Sequence, residues 1–352
     1  MTPPDSLRVG LMGCGHISSA HLHGWAKTSQ SRVTAVFDLD HGAAESTARR
    51  FRVPRVANSM SDLVETADVV DICTPPQAHG EQLTAALQAG RHVLIEKPVV
   101  LTHREWVSVA RLLKANDLQL AVVHHLKFIN SVLRAKQWVD QGLIGRVLRM
   151  ESLFLTDPMH DRMLTTDSHW SHPLPGGRWL ETLPHNLYLI HLFAGPLAVS
   201  SITAVATAAR PNGVSADEVS VSFQGADRLA TIHFSAHCGL NVRTATIIGS
   251  HGIIRLDLLS NLATIHRIGD NRLTRSFGRG MLEAVSQAAQ SAVQKPMTAL
   301  RRLRGWTPHA VLIAAFEQQL VGSGSPPTPV AEIEYVVRTC EEIGREIDRQ
   351  AK

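Results

Sequence analysis

The chain has 352 residues, 44% hydrophobic and 19% charged, a composition that excludes a disordered or fibrous protein and provides enough chain for two globular domains. The net charge of +4 and isoelectric point near 9.0 are mild, and the one basic cluster, Arg301-Arg302-Leu303-Arg304, is too short to make a nucleic-acid surface. The excess charge points instead to an anionic small molecule or a membrane surface. Cys14, Cys73, Cys238 and Cys340 stand far apart, which argues against a disulfide frame and against a zinc cage. With no signal region and no apolar run long enough to span a bilayer, a cytoplasmic protein is expected.

Strand-like apolar runs occur at 7–12, 32–38, 69–74, 92–96 and 119–124, and helix-length segments at 43–51, 77–89 and 104–115 lie between them. Gly90 stands where a helix would stop. This alternation predicts an α/β domain over 1–122, a parallel sheet with helices on both faces. From residue 123 the pattern changes. A helix at 131–141 ends at Gly142, and longer alternating strands follow at 146–155, 219–223, 229–237 and 242–256, the last broken by a hairpin turn at Gly249-Ser250-His251-Gly252. Consecutive strands without helices between them predict an open, mainly antiparallel sheet in a second α/β domain, 123–352. The segment 156–176 is a long loop of functional length. Helices near 308–321 and 331–349 close the chain, with the option of packing back on the first domain.

The first strand runs into Gly13-Cys14-Gly15-His16-Ile17-Ser18. Gly13 and Gly15 allow a tight bend and let backbone amides, with those of His16 and Ile17, approach a pyrophosphate at a helix start. Asp38 ends the second strand at about the 20-residue distance expected of a carboxylate that accepts ribose hydroxyls. Such a carboxylate repels a 2′-phosphate, so NAD is favoured over NADP. After the 69–74 run come Thr74, Pro75 and His79, at the sheet edge where a cofactor would lie. The apolar run His92-Val93-Leu94-Ile95 ends in Glu96-Lys97-Pro98, which places a lysine at the carboxyl end of a buried strand, where ligands of open α/β sheets bind. A partly desolvated lysine there would be suited to acid–base work. A solvated surface charge is the plain alternative.

In the second domain Glu181 and His185 stand four apart and would share a helix face. A carboxylate beside an imidazole orients it and stabilises its protonated form, as a general base requires. An exposed helix pair is the plain alternative. A metal site drawing on His160, His169, His172 and His185 is the rival reading, but the spacing matches no regular zinc motif, and no metal is expected. Residues 272–306 carry Leu282, Val285, Ala289 and Val293 at helical spacing among arginines, the pattern of a packed helix, an exchanged arm, a lid or a shallow membrane contact.

Val9-Gly10-Leu11-Met12-Gly13-Cys14-Gly15, Thr74-Pro75-Pro76-Gln77-Ala78-His79, Ala89-Gly90-Arg91-His92-Val93 with Glu96-Lys97-Pro98, Asp140 to Gly145 and Gly249 to Gly252 together resemble the glucose–fructose oxidoreductase and inositol dehydrogenase family along nearly the whole chain. The resemblance implies a Rossmann domain followed by an open, mainly antiparallel α/β domain whose sheet forms an oligomer face, so a homodimer or homotetramer is expected. It implies that Lys97 lies near the nicotinamide and the reacting hydroxyl, and that the family's Asp-x-x-x-His pair falls on Glu181 and His185. Glu96 then joins the cofactor side, and Lys127, Trp179 and Tyr188 join Lys97 and His185 on the substrate side. Several positions depart from the family: Glu181 stands for Asp, Leu183-Pro184 replaces a frequent Gly-x, Tyr188 stands where many relatives have Asp, and Lys127 where many have Arg. The expected activity is NAD-dependent hydride transfer to or from a secondary alcohol of a sugar, sugar nucleotide or cyclitol. A redox-neutral sugar enzyme with retained NAD and a non-catalytic NAD and sugar binder are the alternatives.

Overall fold

The structure is a computed structural model describing residues 6–166, 169–207, 214–267 and 305–351, with isolated positions between 285 and 296. The basic segment 272–306 therefore lies almost wholly outside the described residues. The chain forms two compact units, Met1–His125 with Arg304–Glu341, and Leu126–Leu303 with Glu342–Lys352.

The first unit holds strands β1 (Leu7–Met12), β2 (Ser31–Phe37), β3 (Arg55–Val56), β4 (Val69–Ile72), β5 (His92–Ile95) and β6 (Leu120–Val122). They form one sheet of order β3-β2-β1-β4-β5-β6, every neighbouring pair parallel. Helices α1 (Ser18–Trp25), α2 (His41–Phe51), α3 (Met60–Thr66), α4 (Pro76–Gln88) and α5 (His103–Asn116) connect them. Every residue of β4 is buried, as a strand covered on both faces must be, which is why these strands read as continuous apolar runs. Adjacent residues point to opposite faces: Leu11 and Val36 join one apolar cluster with Leu22 and Ala44, whereas Met12 and Ile72 join the other with Leu83 and Trp106. Local signals fix the helix ends. Thr102 and Glu105 form a reciprocal capping box on α5, which stops at Asp117 in a left-handed conformation. The strand order reverses between β1 and β4, and that crevice is where an open α/β sheet binds its ligand.

The second unit carries α6 (Asn130–Asp140), β7 (Val147–Leu155), the short α7 (Arg162–Thr165) and α8 (Arg178–Ala194). Strands β8 (Ala198–Val205), β9 (Glu218–Gln224), β10 (Leu229–Ser235), β11 (Val242–Gly249), β12 (Gly252–Asp257) and β13 (Leu262–Arg267) follow. The sheet order is β13-β12-β11-β7-β10-β9-β8. All neighbours are antiparallel except β7 and β10, which run parallel. The expected hairpin is present, with Gly249 facing Gly252. A Cβ on Gly249 would stand 2.2 Å from the Ile144 carbonyl oxygen, so the close approach of that loop requires glycine. Helix α8 packs on β7 and β10, over the buried Met150, Phe154, Ile232 and Phe234. On the other face Ser220, Ser222, Thr231, His233 and Arg255 mix with Leu153 and are exposed or half-buried. That face is mixed in polarity.

The last helices are α9 (Pro308–Leu320) and α10 (Val330–Gln350). The boundary expected at residue 122 falls after His125, and the second domain is not continuous, because residues 304–341 return to the first unit. Packing explains the return. Ile333 and Val337 of α10 join the cluster of Met12, Ile72 and Trp106, and the buried Glu317 carboxylate of α9 accepts the Ser29 and Gln30 amides at 3.2 and 2.8 Å. Periodicity identifies an amphipathic helix but not the core that takes its apolar face. No helix among the described residues is long and apolar enough to cross a membrane.

Candidate active site

The glycine turn closes against the strand beside it. Gly13 has φ of 90°, and a Cβ there would lie 2.8 Å from the backbone of Cys73 and Thr74, so only glycine fits. A Cβ at Gly15 would meet nothing within 4 Å. That open space, at the entry to α1, is what a pyrophosphate needs. Asp38 lies beside it: its two carboxylate oxygens accept the Cys14 amide at 2.6 Å and the Asp40 amide at 2.9 Å. Each oxygen keeps lone-pair capacity for a ribose hydroxyl. Burial and the Asp38 charge push the Cys14 thiol up to about 11, so it stays protonated. His16 is exposed and Ile17 half-buried. The residues present fit a dinucleotide.

At the carboxyl end of β5, Glu96 is only 7% exposed and heads a buried polar network. His21 of α1 is fully buried, with Nδ1 at 2.9 and 3.0 Å from the two Asp71 oxygens and Nε2 at 3.1 Å from Glu96 Oε1. Trp25 Nε1 donates to Asp71 at 2.7 Å. His309 of α9 approaches Glu96 at 3.8 Å and stacks on His125 with ring centroids 4.7 Å apart. Burial opposes the charge of His21, yet the Asp71 carboxylate holds it protonated well above the usual imidazole range. Burial likewise opposes ionisation of Glu96, and hydrogen bonding with His21 and the closeness of His309 hold it well below the usual carboxylate range. The other Glu96 oxygen accepts the Lys97 amide at 3.1 Å. Lys97 is half-buried, and the Lys97–Pro98 peptide is cis.

In the second unit, the Tyr188 hydroxyl accepts the Leu126 amide at 3.1 Å and lies 2.8 Å from His185 Nδ1. The buried guanidinium of Arg178, on the first turn of α8, donates to Asp161 at 3.0 and 3.1 Å and to Glu181 at 2.9 Å. Asp161 also accepts the Thr156 hydroxyl and the Met163 amide, so one arginine ties the 156–176 segment to α8.

Several candidates have other roles than expected. Trp179 is fully buried, stacked on Phe234 with its indole N–H donated to the Ala216 carbonyl at 2.6 Å. It is a core residue, its bulk fitted to the underside of α8, and has no surface for substrate. Tyr188 is also fully buried and acts on His185 rather than on a ligand. His79 is fully buried, its ring nitrogens 2.8 Å from the Pro98 and Thr74 carbonyl oxygens, and burial holds it below the usual imidazole range. It joins the loops after β4 and β5. Glu96 faces inward to His21 rather than toward a cofactor. The Thr74 hydroxyl donates to Gln82. The metal reading is not assembled. His160 pairs with Asp157, His169 with Ser171, and His172 with the Met163 carbonyl oxygen. Groups spaced to hold an ion, among the described residues, fall instead at His21 with Asp71 and Cys73, and at His21 with Glu96 and His309. At 3.1 Å His21 and Glu96 satisfy each other directly. The sequence reading missed His21, Asp71, Trp25, Arg178 and His309. A histidine three residues into a helix gives no local sign that two carboxylates from distant strands enclose it.

A doubly wound sheet with an open glycine turn, a carboxylate beside that turn and a lysine on the strand edge fits a dinucleotide-dependent oxidoreductase. The chain belongs to the GFO/IDH/MocA oxidoreductase family: residues 7–124 match "Oxidoreductase family, NAD-binding Rossmann fold" and residues 132–255 match "GFO/IDH/MocA C-terminal domain". It is 32% identical over 161 residues to UDP-N-acetylglucosamine 3-dehydrogenase of Acidithiobacillus ferrooxidans, 46% of this chain and 49% of that protein. It is 28% identical over 163 residues to levoglucosan dehydrogenase of Pseudarthrobacter phenanthrenivorans, 44% of this chain and 42% of that one. Each of these matches spans less than half of the relative. The fold extends further: a levoglucosan dehydrogenase structure in complex with NADH superposes with a TM-score of 0.76 at 18% identity, covering 99% of this chain and 98% of that one.

Removing the cation between Asp71 and Glu96 leaves two buried carboxylates facing each other. His21→Leu is expected to lose about 3–5 kcal/mol at pH 7 and to make stability depend on pH between 5 and 6.5, where these groups leave the wild type flat. In the wild type, the Glu96 contribution is present above about pH 4.5 and is lost as pH falls through its lowered value, while the His21 contribution is complete below about pH 6.5 and is lost only as pH rises through its raised value. In the variant both carboxylates gain raised folded values, so stability increases as pH falls from 7 to 5. Urea unfolding across pH 5–8 reads this; parallel pH curves for the two proteins would refute it.

Proposed function

We propose that the chain is an NAD-dependent dehydrogenase of a secondary alcohol carried by a sugar, sugar nucleotide or cyclitol. The observation that carries this reading is Lys97, held at the carboxyl end of β5 by its amide on the enclosed Glu96 carboxylate. The names of the related proteins, among them an inositol 2-dehydrogenase of Saccharopolyspora erythraea at 30% identity over 152 residues, support the substrate class. Amides of the Gly13–Ile17 turn would hold the pyrophosphate, and Asp38 both ribose hydroxyls. Bound NAD supplies a hydride acceptor. His185 would accept the hydroxyl proton of the substrate carbinol, and Lys97 would donate a hydrogen bond to the substrate oxygen. Glu181 would orient His185, and Arg178 holds Glu181 with a bond of 2.9 Å. Subunits would associate through the outward face of the β7–β13 sheet.

Turnover followed by NADH absorbance across a panel of sugars and cyclitols tests the reading. His185→Ala should lower kcat by about 10²–10⁴, with partial recovery at high pH where the hydroxyl yields its proton to solvent. Lys97→Ala should lose most turnover and keep NADH affinity within several-fold. Near-wild-type turnover in either variant would sink the assignment, and turnover without released NADH would indicate a redox-neutral reaction. Wild type should bind NAD more tightly than NADP, and Asp38→Ser should narrow that gap; equal affinities in wild type would remove the ribose role. Sedimentation at micromolar concentration should give a dimer or tetramer, and a 38 kDa species alone would count against association.

A further inference from the structure

Within the second unit, two guanidinium groups flank the ring of Phe154. Arg178 lies 5.9 Å from the ring centroid and has its carboxylates, Asp161 and Glu181. Arg243, the second residue of β11 and directly opposite Phe154 in the ladder, lies 4.6 Å over the same ring. It is half-buried. Burial and the nearby Arg178 charge lower its affinity for its proton, with Glu181 and Asp161 acting weakly the other way. Among the described residues the Arg243 side chain makes no hydrogen bond or ion pair. The two nearby carboxylates bond to Arg178 instead: Asp161 Oδ2 accepts two Arg178 nitrogens, and Glu181 Oε2 accepts Arg178 and the Thr182 hydroxyl. A partly desolvated guanidinium offers five fixed donors that match a carboxylate or phosphate. A chain that kept it only for packing would expend desolvation for a cation–π contact alone.

We propose that Arg243 is a specificity residue that receives an anionic oxygen group, carboxylate or phosphate, on the substrate. This rests on the dehydrogenase reading above, because Glu181, beside which Arg243 acts, shares one helix face with His185. The acidic group would stand on the substrate at a carbon other than the one oxidised, and the Phe154 ring supports the guanidinium beneath it. Substrates of this site are therefore sugar acids or sugar phosphates in preference to their neutral counterparts.

Calorimetric titration of the full chain saturated with NADH, using glucuronate, glucose 6-phosphate and glucose as probes, tests this separately from turnover. At least one of the two anions should bind ten-fold or more tightly than glucose, and which one does so distinguishes carboxylate from phosphate. Arg243→Gln should reduce that ratio at least ten-fold. Arg243→Lys, which keeps the charge and loses the fork, should retain part of it and guards against a folding defect in the first variant. Equal affinities for the three probes, no binding of any, or an unchanged ratio in Arg243→Gln would overturn the proposal. Absence of hydride transfer with every probe would count against the dehydrogenase reading alone, since the binding ratio does not depend on it.

Discussion

The first unit depends on one enclosed cation. His21 lies between Asp71 on β4 and Glu96 at the end of β5, and these strands sit side by side next to the point where the sheet order reverses. A helix, two strands and, through His309, a helix from far along the chain converge on it. Burying charged groups is costly unless they are paired or hydrogen-bonded; here one imidazole bridges both carboxylates, and Trp25 and the Lys97 amide donate to them. The arrangement also has a direction: Asp71 holds one side of the imidazole, the imidazole holds Glu96, and Glu96 holds the backbone amide of Lys97. Loop geometry at the crevice is thus set from beneath by electrostatics rather than by the loop itself.

The second unit solves a related problem with arginine. A segment of some twenty residues between β7 and α8 buries Leu164 and Leu174 but is otherwise mostly polar, and loops of this length without regular structure are uncommon. Arg178 ties it to α8 with bonds to Asp161, Glu181 and Thr182. The same bonds make Glu181 a fixed point on α8, so loop order and the candidate acid–base pair are one structural problem. Pro184 within α8 is compatible with this because the helix is held by its packed underside, where Trp179, Leu183 and Leu187 are buried.

Much of the fold was legible because the signals were local. Buried parallel strands give unbroken apolar runs, and β1, β2, β4, β5 and β6 all fall where such runs occur. Gly249 and Gly252 mark their hairpin. Three strands escaped: Ala198–Val205, whose residues are all exposed or half-buried, Leu262–Arg267, in which only Ala263 is buried, and the two-residue Arg55–Val56, which has too few residues to show a period. The parallel pairing of β7 with β10 could not be read either, since pairing direction is set by chain path and not by composition. At the site, the residues named by motif, Gly13, Gly15, Asp38 and Lys97, stand on the strand edge. Two others, Trp179 and His79, the latter named within the Thr74–His79 motif, are enclosed. Long-range partners such as His309 are invisible to any window of sequence.

One consequence concerns synthesis of the chain. The first unit lacks part of its core until α10 contributes Ile333 and Val337, and the pairs Gln30 with Glu317 and His124 with Glu332 likewise join residues about 200 or more apart in sequence. On the ribosome the nucleotide-binding sheet emerges early but waits, with an uncovered apolar patch, for nearly the whole of the second unit to be made. The sheet strands of the second unit, among the described residues, all precede residue 268. A fragment ending at residue 125 would be an incomplete domain, prone to association, and not a portable cofactor-binding module.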